Sequence, residues 1–152
     1  MDLTRRAYCD RILRVDLTTG SITTTPLPEG MMPLLLGGKG LGAWLLYTEQ
    51  APGTDPLRPG NHLIFHNGPL TGTTAPTAGR FGCTTRSPAT GAYLDTYCGG
   101  YWGQMLKYAG YDALVVTGAA AEPVMLVIDD DRVELRPAGH LWGTTVTEAT
   151  ER

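Results

Sequence analysis

Two pairs of adjacent glycines, Gly37-Gly38 and Gly99-Gly100, each stand just ahead of an amphipathic stretch with helical spacing. Glycine at a helix start lets backbone approach a ligand closely, and the first-turn N–H groups attract anions. Two such termini suit a ligand that carries phosphates. The same glycines, taken singly, read as turns or close-packing positions. Arg80 is the cation best placed to join them: it closes a long Gly/Pro/Thr-rich stretch and directly precedes a strand. Rigid backbone can therefore aim it, and a guanidinium fork matches two phosphate oxygens. Taken alone, Arg80 reads as an exposed loop arginine.

Other motifs carry less. Gly38-Lys39-Gly40-Leu41-Gly42-Ala43 satisfies G-x-G-x-x-A, but the preceding Pro33-Leu34-Leu35-Leu36 is too short and Pro-led for the strand of a βαβ unit. Lys39 is followed by Gly rather than Ser or Thr, which excludes a P-loop. His62 and His66 are spaced i, i+4 across a strand-like segment, so they share no helical face and a metal role is not expected. His140 reads as structural and Asp129-Asp130-Asp131 as turn chemistry. Neither G-x-S-x-G nor H-E-x-x-H occurs, and no residue makes a convincing nucleophile or general base.

These groups need elements to hold them. Arg11 to Asp16 and Ser21 to Thr25 read as a β-hairpin around Thr18-Thr19-Gly20. A helix follows from Leu41 to about Gln50, with Leu41, Trp44, Leu45 and Thr48 on one face, and then a short strand from Leu63 to His66. Residues 67–80 form a polar, Gly/Pro-rich loop of a length that is uncommon unless functional. A second hairpin spans Phe81 to Arg86 and Ala92 to Thr96, followed by a helix from Tyr101 to Ala109 with Gly110 as its C-cap glycine, and a buried strand from Ala113 to Val116. Val124 to Ile128 pairs with Arg132 to Leu135, and a last helix begins near Thr147, so the chain ends inside an element. The order hairpin, Gly-Gly, helix, strand occurs twice, which suggests an internal duplication related by a pseudo-two-fold rotation. The expected fold class is α+β: one β-rich domain over residues 1–152 with hairpins and a few short helices.

Composition agrees. The chain has 152 residues, 42% of them apolar, with 20 glycines and 11 prolines scattered between apolar runs, as in a folded domain with many tight turns. A net charge of −3 with mixed signs offers no basic stripe for nucleic acid. No apolar run is long enough to span a bilayer, and Arg5-Arg6 is not followed by a signal's apolar region. A soluble cytoplasmic protein, with no membrane and no nucleic-acid partner, is expected. Cys9, Cys83 and Cys98 have neither disulfide-framework nor C-x-x-C spacing and read as reduced thiols.

From about Cys9 onward the sequence resembles the aldehyde ferredoxin oxidoreductase family. The resemblance rests on Gly68-Pro69-Leu70-Thr71-Gly72-Thr73, on Ala75-Pro76-Thr77 with Gly79-Arg80-Phe81, and on Ser87-Pro88-Ala89-Thr90-Gly91. Gly99-Gly100-Tyr101-Trp102-Gly103, Lys107-Tyr108-Ala109-Gly110-Tyr111-Asp112-Ala113 and His140-Leu141-Trp142-Gly143 follow in order. It implies a base for a bis-pterin cofactor holding tungsten (or molybdenum), with the pterin phosphates bridged by Mg. Arg80 maps to a pterin contact, and Tyr97, Gly99 and Gly100 to the cofactor-binding segment, with the Tyr97 backbone carbonyl on Mg. The sequence departs from the family where Tyr97-Cys98 replaces Asn-Ser and where Lys39 replaces a frequent arginine.

The resemblance further implies oxidation of an aldehyde to a carboxylic acid with ferredoxin as electron acceptor. The 4Fe-4S cluster, substrate pocket and acid/base residues belong to later domains, so no catalytic residue is assigned and this chain alone is expected to be inactive. Its partners are then the missing C-terminal domains or a companion large subunit, which would cover a large apolar face. Two other readings stay open. One is a non-catalytic pterin-binding fragment or scaffold subunit of a split enzyme; the other is a phosphate- or nucleotide-binding module.

Overall fold

A computed structural model describes residues 7–151, except for the Met32 side chain; Arg5-Arg6 and Arg152 lie outside the described residues. Eight strands and four helices follow one another: β1 (Arg11–Asp16), β2 (Ser21–Pro26), α1 (Met31–Leu35), α2 (Lys39–Glu49), β3 (Leu63–Asn67), β4 (Phe81–Arg86), β5 (Tyr93–Cys98), α3 (Trp102–Tyr108), β6 (Ala113–Thr117), β7 (Val124–Asp129), β8 (Arg132–Pro137) and α4 (Val146–Thr150). Six strands form one mixed sheet in the order β2-β1-β6-β3-β4-β5, and β7 and β8 make a separate hairpin. The class is α+β, as expected from the sequence.

Alternation along the strands builds two cores. Ile12, Ile64, Ala113 and Val115 turn to one face, where Leu41 and Leu45 of α2 and Met31 of α1 cover them. Leu13, Val15, Leu114 and Phe65 turn to the other, beneath Leu106 of α3 and the inner side chains of β7 and β8, Leu126, Ile128, Val133 and Leu135. The two glycine-led helices therefore lie on opposite faces of the sheet. Tyr101, Met105 and Tyr108 around α3 remain exposed.

The suggested duplication is limited by strand polarity. Exchanging β1, β2 and β3 for β4, β5 and β6 turns the strand order into its own reverse, so the order is symmetric. Yet β1 runs parallel to β6, whereas the matching pair, β4 and β3, is antiparallel. A two-fold rotation also cannot reverse β3 against β6 and move a helix to the other face at once. The resemblance between the two units stops at the order of elements.

One element was not foreseen. The apolar run expected to be too short for a strand forms α1, anchored by Met31 and Leu35 against the α2 core while Leu34 stays exposed. The remaining elements fall within a few residues of their expected limits. The last of them, α4, starts at a capping box in which Thr145 and Glu148 bond each other's backbone N–H.

Candidate functional site

The site lies at the end of the sheet where β3 stops and β4 begins. Asn67 closes β3, and its backbone and side chain tie both helices to this end. The Gly38 amide donates to the Asn67 carbonyl at 2.9 Å, and Asn67 Nδ2 donates to the Gly103 carbonyl at 3.0 Å. Gly38, the α2 N-cap, has φ 53° and ψ −131°, outside the regions open to side-chain-bearing residues, and makes no side-chain cap. The first turn of α2 thus has no capping side chain; the Gly37 carbonyl accepts the Gly40 and Leu41 amides instead. Trp102 holds the start of α3, with its ring centroid 4.6 Å from that of Phe81 and 5.2 Å from that of Phe65.

Between β3 and β4 the chain turns out over the sheet end, held by the Thr71 hydroxyl, which donates to the Arg80 carbonyl at 3.3 Å. Together these parts enclose an open cavity of about 360 Å³. Gly38, Gly68 and Gly82 give it a floor of bare backbone; Pro76, Arg80 and Tyr97 form its walls. Arg80 and Tyr97, both singled out in the sequence, meet here. Gly99 and Gly100 do not line the cavity: they are exposed between β5 and α3, where a Cβ on either would meet open space.

A polar cluster adjoins the cavity, reaching it through His66 and Tyr97. His66, with no side-chain exposure, places Nε2 2.9 Å from Thr84 Oγ1 and 3.8 Å from Asp95 Oδ1. Asp95 Oδ2 pairs with Lys39 Nζ at 3.2 Å. Burial pushes the His66 imidazole down to about 4, against an opposing pull from Asp95, so the ring is neutral near pH 7. Its Nδ1 and Asp95 Oδ1 are buried without hydrogen-bond partners. The Tyr97 ring meets His66 edge-on, and its phenol is held above the usual range by burial first, then by the nearby charge of Asp95. Little in the sequence signals this cluster. The available signals were a carboxylate inside the aromatic-rich strand Tyr93–Cys98 and a histidine two residues beyond core Ile64.

Among the described residues, no group of three or more His, Cys, Asp or Glu side chains is arranged to hold a metal ion, and Cys9, Cys83 and Cys98 are all unpaired thiols.

Residues 12–152 match the aldehyde ferredoxin oxidoreductase N-terminal domain. The chain belongs to that family. It is 49% identical to the tungsten-containing aldehyde ferredoxin oxidoreductase of Pyrococcus furiosus, an alignment covering 93% of this chain and 24% of the relative. The Thermococcus kodakarensis enzyme of the same description is also 49% identical, over 91% of this chain and 23% of the relative. A solved structure, the active site complex BamBC of benzoyl coenzyme A reductase with 1,5-dienoyl-CoA, superposes with a TM-score of 0.92 at 40% identity, covering 95% of this chain and 22% of the other. The chain thus spans about a quarter of its relatives' length. It is an N-terminal domain of the oxidoreductase type, and no helix among its described residues is long and apolar enough to cross a membrane.

Proposed function

We propose that this chain seats the pterin end of a tungsten (or molybdenum) cofactor in an oxidoreductase that converts an aldehyde to a carboxylic acid, with ferredoxin as acceptor. The convergence of Arg80 and the glycine-led α2 N-terminus on one glycine-floored cavity carries this reading. Its fit to the group is chemical. Bare backbone accepts a flat ring system, the helix end offers the positive end of its dipole, and the guanidinium offers donors and charge to a phosphate.

In this reading Arg80 binds the phosphate, the Gly38 and Gly68 backbone lies against the ring, and Tyr97 closes one side. The Tyr97 carbonyl, in edge strand β5, is the candidate Mg ligand, with Gly99 and Gly100 following it in the cofactor segment. When bound, the cofactor supplies the two-electron redox centre at which an aldehyde and water become an acid. The residues of this chain bind and orient it and offset its charge. The 4Fe-4S cluster, substrate pocket and ferredoxin contact belong to the remaining three-quarters of the relatives' architecture, whose natural resting place is the exposed Tyr101, Met105 and Tyr108 surface.

The test is to purify the intact protein from cells supplied with tungstate, then measure tungsten, extractable pterin and aldehyde-dependent ferredoxin reduction. The expected result is stoichiometric metal and pterin that both fall in Arg80→Ala. Full retention in Arg80→Ala, or thermal stabilisation by NAD or ATP but not by pterin, would overturn the reading. Retained metal and pterin without aldehyde oxidation would make the chain part of a non-catalytic binding protein.

A further inference from the structure

Asp95 is a carboxylate in a place that ordinary strand packing does not explain. It sits in the middle of β5 opposite Thr84, with its side chain 8% exposed. A buried carboxylate is costly unless paired, and removing its partners is costlier still. Three groups from three different elements face it. Lys39, the first residue of α2, reaches Oδ2; His66 of β3 lies beside Oδ1; Tyr97, two residues along β5 and so on the same face, lies near it with its ring edge-on to His66. Of these, His66 and Tyr97 line the cavity directly, while Lys39 follows its lining residue Gly38. Asp95 itself is not among the lining residues, so its influence on a ligand passes through its neighbours.

We propose that Asp95 is a positioning residue for cofactor binding: it fixes the Lys39 ammonium at the α2 N-terminus and the Tyr97 ring at the cavity wall, so that both meet the phosphate-bearing cofactor already in place. Lysine is a point charge on a flexible stem, and without an anchor it samples many rotamers. Tyr97 is 47% exposed and stands in an edge strand, with its ring edge-on to His66. One carboxylate holds both at once, and such preorganisation acts on affinity by cutting what must be ordered on binding. This role rests on the cofactor reading above.

The experiment is retention of pterin and tungsten by the intact holoprotein during dialysis, followed over time. Asp95→Asn should speed loss of both about tenfold, equivalent to about 1.4 kcal/mol of binding, and Asp95→Glu should recover part of the difference. Tyr97→Phe and Lys39→Met should each speed loss in the parent protein but add little to Asp95→Asn, because residues acting through a shared partner are not additive. Arg80→Ala separates the two claims. If it leaves retention unchanged, the cofactor reading fails. If it speeds loss while Asp95→Asn behaves like the parent, or while Tyr97→Phe and Lys39→Met add in full to Asp95→Asn, the positioning role is overturned. Should Asp95→Asn not fold, the double variant of Lys39→Met with Tyr97→Phe decides: coupling between the two supports the role, and strict additivity overturns it.

Discussion

A Cβ placed on Gly82 would stand 2.1 Å from His66 Cε1, so the imidazole occupies the space that any side chain on that strand position would need. Gly42 of α2 stands in the same relation from above, its Cβ 2.4 Å from His66 Cδ2. The ring is clasped between helix and strand, and both glycines are there for clearance. Gly82→Ala should therefore destabilise the fold by about 1–3 kcal/mol, the usual range for overpacking. In a His66→Ala background the same change should cost much less. Urea unfolding of the four proteins in this cycle measures the coupling; equal costs in both backgrounds would show that His66 is not the obstacle.

The neutral imidazole also gives stability a pH dependence. In the unfolded chain His66 titrates near 6.5, and in the fold near 4. Between those values the unfolded state takes up a proton that the fold excludes, so stability falls as pH drops from about 6.5 toward 4 and is complete above 6.5. His62, lowered mainly by burial, pushes the same way. The His66 share is on the order of 3 kcal/mol across the window. Urea midpoints from pH 4.5 to 7.5 should climb with pH, and His66→Asn should flatten that climb; an unaltered slope in the variant would assign the effect to other groups.

Asp112 fastens the N-terminal segment. Its Oδ1 pairs with Lys107 Nζ in near-complete burial, and its Oδ2 accepts the amides of Cys9 at 2.9 Å and Asp10 at 2.8 Å. Lys107 Nζ donates in turn to the Ala7 carbonyl. Asp112→Ala leaves a buried ammonium and two amides without their acceptor, a loss of about 3–5 kcal/mol. Cys9, whose thiol is held high chiefly by burial, should then react faster with a thiol reagent, read against a Cys98→Ser background because Cys98 is exposed. Unchanged labelling of Cys9 would mean that the segment is held by other contacts.

Arg14 and Glu49 make the opposite case. Their pair is bidentate, both bonds 2.7 Å, but each side chain is a quarter or more exposed. Water and salt screen such a pair, so Glu49→Gln should cost no more than about 1 kcal/mol, and less in high salt. A loss as large as that of Asp112→Ala would contradict the ranking by burial.

Arg80→Ala should leave the melting temperature nearly unchanged, because the side chain is exposed and its backbone, not its guanidinium, holds the loop through Thr71. Any loss of cofactor in that variant is then a loss of contact rather than of fold. A fall in melting temperature of several degrees without ligand would remove that distinction.

The hairpins and the two longer helices were legible because their signals are local: alternation, turn glycines, and apolar residues three and four apart. Arg80 stands out by its place before a strand as well as by a family motif, Tyr97 by the motif alone, and the cavity brings the two together. Helix α1 was missed because Pro33 and the exposed Leu34 and Leu36 obscure the two residues, Met31 and Leu35, that pack it. The cluster beside the cavity was invisible for a different reason. His66 and Asp95 lie 29 positions apart and meet only because β4 stands between their strands, with Thr84 bonded to one and opposite the other. Nothing in the spacing of a sequence announces a neighbour across two ladders.

Asn67 spends its carbonyl on one helix and its carboxamide on the other, from the two sides of a single strand end. The start of α2 and the start of α3 are therefore surveyed from one common datum. Neither can slide along the sheet without breaking a bond to the same residue, so the span between them behaves as a fixed gauge. A molecule that touches both ends is measured against a length set by one asparagine.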